Sequence, residues 1–149
     1  MTTASVEAKV VQKIIERIKT LSDVTKWIGT GSAARVYGSQ ISTLQDVVFP
    51  CVSITTLDGS RARDASGIET ITIQIDLWFN AEGKNATVWD DVMESFAAIE
   101  NELHNNGHWD SSIGLNLFEM TLIGRGPQMY EADTKLNHYN GRFRVRATV

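Results

Sequence analysis

The residues best able to do chemistry in this 149-residue chain are few and poorly grouped. His104 and His108 stand four apart with Asp110 close behind, a spacing that lets two imidazoles share a metal ion when both lie on one helix. Asn105, Asn106 and Gly107 separate them, and Asn and Gly take the left-handed conformation that ends helices. The second histidine therefore leaves the helix, and His104 reads as a cation-capable residue in a last turn, favourable to the helix dipole. Gly29-Thr30-Gly31-Ser32-Ala33-Ala34 has the glycines of a phosphate loop but lacks its Lys-Ser/Thr ending and its place between strand and helix. Ser32 has no Gly-x-Ser-x-Gly context. Asp90 and Asp91 are adjacent on a helix and point different ways, which makes them partners of the N-terminal dipole rather than an acid–base pair. The single Cys51 cannot form an intramolecular disulfide and opens an apolar run, as a small buried hydrophobe would. No catalytic, cofactor-binding or metal site is expected, and no enzyme class is supported.

Two polar features carry more. Near the C-terminus Tyr139, Gly141, Phe143, Val145, Ala147 and Val149 alternate with Asn140, Arg142, Arg144 and Arg146. Arg142, Arg144 and Arg146 then form a basic stripe about 14 Å long on one strand face. Like charges at this spacing mildly repel, so the stripe is either a solvated outer sheet face or one neutralised by carboxylates of a neighbouring subunit or by DNA phosphates passing nearby. The second feature is residues 58–67, rich in Gly and charge, with Arg61, Arg63 and Asp64. This stretch reads as a functional or mobile loop that orders against a neighbour. Trp78 follows on the polar face of a strand, where large aromatics mark partner surfaces.

The elements that position these residues are legible from periodicity. Val6, Val10, Val11, Ile14, Ile15, Ile18 and Leu21 recur at helical spacing, with Ser5 as N-cap. A short turn with Val24, Trp27 and Ile28 ends at Gly29, and a short strand is expected over 35–38. Residues 39–48 read as loop, and 51–57 alternate as a strand. From residue 70 to 79, Ile71, Ile73, Ile75, Leu77 and Phe79 oppose Thr70, Thr72, Gln74, Asp76 and Trp78, the period of a strand with one face on a core. Counted from Ile68 it reaches roughly 40 Å, against a radius of gyration of about 15 Å for a compact domain of this size. Such a strand spans the domain and projects its loop from one end. A second helix follows with Thr87 as cap and Val88, Val92, Phe96, Ile99 and Leu103 as buried stripe. Strands over 115–123 and 138–149 flank a loop at 124–137. The order predicts one α+β domain over 1–149, a mainly antiparallel sheet with a long β-hairpin and two helices on one face.

Composition is that of a globular protein, 42% hydrophobic and 21% charged, with a net charge of −4. That balance excludes a whole-chain nucleic-acid footprint while leaving room for a local basic face. No apolar run reaches the ~18 residues of a membrane span. The first residues have no basic leader followed by an apolar stretch, so a soluble, intracellular chain is expected at synthesis.

The layout resembles the tail terminator, or tail completion (tail-to-head joining), proteins of long-tailed bacteriophages. The matching parts are the helix at 6–21, Arg35-Val36-Tyr37-Gly38 before a Phe49-Pro50-Cys51-Val52-Ser53-Ile54 strand, and the strand at 70–79. The helix at 88–103 and the closing Phe143-Arg144-Val145-Arg146-Ala147-Thr148-Val149 complete it. The resemblance implies a non-enzymatic virion protein, without cofactors, that forms a homo-oligomeric ring, commonly a hexamer. Such a ring caps the tail tube, ends its polymerisation and joins the tail to the head–neck connector. It implies a place at the tail–neck junction after assembly in the host cytoplasm, with contacts to the tail tube protein, to the connector protein and to DNA passing through without sequence specificity. The 58–67 loop corresponds to one that rearranges on assembly. The 124–137 stretch is longer than the family's usual loop, and its Met129 and Tyr130 are expected to face a neighbour or partner. Another neck or baseplate adaptor of similar fold is the alternative, and a small-ligand-binding α+β protein a further one.

Overall fold

The computed structural model describes residues 5–38, 50–57, 62–63, 68–79, 87–104, 116–126, 129–131 and 136–148. Helix α1 (Val6–Ile18) starts where Ser5 Oγ accepts the Ala8 N–H at 3.0 Å, the N-cap its sequence predicts. Helix α2 (Ser22–Ile28) follows at once and stops at Gly29, whose φ of 96° suits a residue without a Cβ. Strands β1 (Val36–Tyr37) and β2 (Cys51–Thr56) come next, then β3 (Ala62–Arg63) and the long β4 (Glu69–Phe79). Helix α3 (Thr87–Leu103) begins at Thr87 itself, so Thr87 is the first helical residue rather than the cap expected of it. Strands β5 (Asn116–Arg125), β6 (Met129–Glu131) and β7 (Leu136–Thr148) complete the chain.

The sheet runs β1-β2-β4-β7-β5, with β3 beside β4 and β6 beside β7; every pairing is antiparallel except β1 with β2. The longest ladder joins β4 to β7, from Glu69 opposite Ala147 to Phe79 opposite Asn137. Its register puts Ile71, Ile73 and Ile75 beside Val145, Phe143 and Gly141, so two period-2 patterns merge into one apolar face. Val10, Ile14 and Ile18 of α1 and Val92, Phe96, Ile99 and Leu103 of α3 close over that face, all essentially buried. Each large side chain removed from water there contributes roughly 1.5–3 kcal/mol before conformational entropy is counted. Gly141 lets α3 approach: a Cβ at that position would overlap Phe96 Cζ and lie 2.9 Å from Cε1. This is a single-domain α+β fold, with the two expected helices joined by the small α2.

Both stretches read as loops contain strand. β3 lies inside 58–67 and pairs Ala62 with Thr70 and Arg63 with Glu69. β6 lies inside 124–137 and pairs Met129 with His138 and Glu131 with Leu136. Each short strand continues the edge left by its predecessor, β2 or β5, along a longer neighbour. β4 and β7 are antiparallel, so β3 and β6 lie towards opposite ends of the sheet. β4 alone, at 11 residues, spans about 36 Å.

Candidate functional site

The outer sheet face, opposite the helices, carries Trp78 and the arginine stripe, and it divides into a closed and an open half. In the closed half, Ser53, Asp76, Trp78, His138 and Asn140 are each no more than 8% exposed. Cross-strand register brings Ser53 opposite Asp76 and Trp78 opposite His138. Asp76 Oδ1 lies 3.0 Å from His138 Nδ1, and Gln74 Nε2 donates to Asp76 Oδ2 at 3.0 Å. The Trp78 and His138 rings stack with centroids 4.2 Å apart, and the indole N–H donates to Ser53 Oγ at 2.9 Å. Asp, His and Ser are the inventory of a nucleophilic triad. Here the serine takes the indole N–H, so the set is joined through the tryptophan and not through a serine–imidazole hydrogen bond. Trp78, expected at a partner interface on the strand's polar face, packs its ring on His138 and donates its N–H to Ser53 within the chain. Local periodicity could not reveal this cluster, because Asp76 and His138 come together only once β4 and β7 are in register.

The open half holds the arginine stripe. Arg142 and Arg144 are exposed and Arg146 half-buried, all on the outer face as the alternation predicts. Arg142 Nε donates to the neutral Gln74 Oε1 at 3.2 Å. Arg144 Nη2 donates to Glu119 Oε1 at 2.8 Å, and Thr121 Oγ1 donates to the same oxygen at 3.0 Å. Donation from Arg144 holds the Glu119 carboxyl below its usual 4.5, opposed by partial burial and aided by Thr121. Arg144 therefore has a carboxylate in its own chain, a partner not among the neighbour's carboxylates and DNA phosphates expected for the stripe. Ile123, at an irregularity between Leu122 and Gly124 of β5, is 50% exposed. A cleft of about 620 Å³ opens between Gln74, Ile123, Gly126, Asn140 and Arg142.

Of the other residues singled out, Arg61 and Asp64 lie outside the described residues. Arg63 falls in β3, and Met129 and Tyr130 in β6, where the backbone placement alone is described. The structure thus sets Arg63 towards one end of the sheet and Met129 and Tyr130 towards the other. His108 and Asp110 also lie outside the described residues. His104 lies at the end of α3, where its Nδ1 accepts the Leu122 N–H at 3.0 Å and ties the helix end to β5. Among the described residues no group of three or more His, Cys, Asp or Glu side chains could hold a metal ion. No helix there is long and apolar enough to cross a membrane.

The helix layer is fastened by polar contacts that sequence reading missed. Arg17 pairs with Glu102, joining α1 to α3, and Arg125 Nε donates to Glu100 Oε1 at 2.5 Å, joining β5 to α3. Trp27 Nε1 donates to Ser95 Oγ, which donates to the Asp23 carbonyl at 2.8 Å. Arg35 donates from Nε to the Pro50 carbonyl and from Nη2 to the Trp27 carbonyl, at 2.7 and 2.8 Å. Beside it Cys51 is fully buried, and loss of solvation pushes its thiol up to about 12, which keeps it protonated and unreactive. The outward side of α3 carries Asp90, Asp91, Met93 and Glu94, all exposed, with Met93 at 43%.

Comparison with known proteins follows from the whole layout rather than from a reacting group. The family model described as "Tail completion protein gp17" matches residues 12–149. A chain in the solved structure "Virion of native gene transfer agent (GTA) particle" is similar in fold, with a TM-score of 0.66 over 90% of each chain at 15% identity. No curated protein matches the chain.

Proposed function

The chain belongs to the tail completion protein gp17 family and is a phage tail structural protein; from that premise we propose that six copies close into a ring that ends the tail tube and joins it to the head–neck connector. The observation that carries this reading is the pair of extended strand systems, β2–β3–β4 and β5–β6–β7, whose short strands lie towards opposite ends of one sheet. A subunit with two unlike ends on a stiff sheet makes a ring with two unlike faces. One face meets the last tube ring through Arg61, Arg63 and Asp64, and the other meets the connector through Met129 and Tyr130. Because the second face does not repeat the tube's own surface, tube growth stops there. DNA passes through the lumen without sequence-specific contact. The work of the chain is assembly, with no reaction and no cofactor. The similar chain in a gene transfer agent virion agrees with a place in the particle, here the tail–neck junction, reached after assembly in the host cytoplasm.

Mixing the purified chain with purified tail tubes and viewing them by electron microscopy tests this. One ring at one end of each tube is expected. Binding along the tube wall, or none, contradicts the role.

A further inference from the structure

Among the described residues the two exposed large hydrophobics, Met93 at 43% and Ile123 at 50%, lie on opposite sides of the molecule. Met93 is on the outward side of α3. The inward side of that helix, with Phe96 against Gly141, packs on the sheet's apolar face. Ile123 belongs to β5, beside the cleft and Arg142 on the sheet's other face. Met93 has Asp90, Asp91 and Glu94 around it, with Lys26 3.8 Å from Glu94, and Ile123 lies on the face of Arg142 and of the Arg144–Glu119 pair. Asp90, Met93, Glu94 and Ala97 fall three or four residues apart, so they share one helix face, with Asp91 alongside. Arg142 and Arg144 border the face that carries Ile123.

We infer that these two surfaces dock on each other between successive copies: the acidic outer face of α3 of one copy covers the arginine-bearing outer sheet face of the next. The inference rests on the ring reading above and names the subunit contact within it. Charge complementarity selects the occupant. Arg142 has a neutral amide as its hydrogen-bond acceptor within the chain and keeps its charge available for a carboxylate. Asp90 and Asp91 have no ion pair among the described residues. Glu94 has only a long one, 3.8 Å to Lys26, with both side chains largely in water. An apolar contact between Met93 and Ile123, ringed by opposite charges, has the core-and-rim build of a specific interface. The surfaces differ, so the contact is head-to-tail, the kind that closes rings when its rotation allows. DNA is the poorer occupant: with Arg144 already paired to Glu119, the face lacks the run of uncompensated cations that a duplex backbone engages, whereas a few carboxylates need only Arg142.

Charge reversal and rescue in the full-length chain test the contact. Arg142→Glu, or Asp90→Lys with Asp91→Lys, should each weaken self-association at least about tenfold by sedimentation, while the three changes in one chain restore it. The native thiol is buried, so Met93→Cys with Ile123→Cys should give a covalent ladder beyond the dimer on mild oxidation, and neither cysteine alone should. Rings unaffected by both reversals overturn the contact and leave the ring reading standing. Intact Arg142→Glu rings that have lost wild-type retention of duplex DNA overturn it in favour of a lumen-facing stripe. A wild-type chain that associates with nothing overturns the ring, and the contact with it.

Discussion

The two halves of the outer sheet face share strands β4 and β7 and their alternating pattern, yet they have opposite fates. Ser53, Asp76, Trp78 and His138 are withdrawn from water and joined by stacking and hydrogen bonds. A few residues further along, Arg142 and Arg144 are exposed, and Arg142 borders an open cleft with the half-buried Gln74. The difference lies in partners. In the closed half the carboxylate takes Gln74 and His138 Nδ1 as partners, the indole stacks on the imidazole and donates to the hydroxyl, and burial without such partners costs several kcal/mol. In the open half, among the described residues, Arg142 meets a neutral amide and no carboxylate. A closed polar cluster fixes the fold, whereas an open one is left to meet something else.

Substitutions should separate the halves sharply. Trp78→Ala removes a buried ring, its stacking on His138 and its bond to Ser53; a loss of about 3–5 kcal/mol is expected in denaturant unfolding. A value under 1 kcal/mol would show that the closed half is not a structural unit. His138→Ala leaves Asp76 buried with only Gln74 as its donor among the described contacts, and about 2–3 kcal/mol should be lost. Across the boundary the effects shrink. Glu119→Gln breaks a solvent-screened pair and should cost about 0.2–1 kcal/mol at low salt near neutral pH. Since the folded carboxyl titrates below its ordinary 4.5, this stabilisation is complete above that value and fades as pH falls through the folded pKa. Wild type and variant should therefore converge in acid, and a gap that widens there would refute the pairing. Arg142→Glu should change monomer stability by no more than about 0.5 kcal/mol, even while it weakens association.

How far this contrast was legible in the sequence follows from the range of each signal. The 70–79 alternation became β4, the helical spacing from Val6 became α1, and Ser5 became its cap, because each is decided within a few residues. The arginine stripe was legible for the same reason. Which polar residues lie in the closed half was not, since Asp76 and His138 meet only through the β4–β7 register. The stretches 58–67 and 124–137 read as loops because Gly and charge dominate them. β3 and β6 exist because longer neighbours offer them a ladder, which local composition cannot record. Glu119 escaped notice because a lone acid in a strand gains meaning only beside Arg144.

The central claim is that this chain works as one copy in a closed ring with two unlike faces. Native mass spectrometry of the purified full-length chain, with the same sample imaged face-on by electron microscopy, tests it most directly. A single closed species of six copies with sixfold symmetry is the predicted result. A monomer at every accessible concentration, or an open polymer of indefinite length, would contradict it.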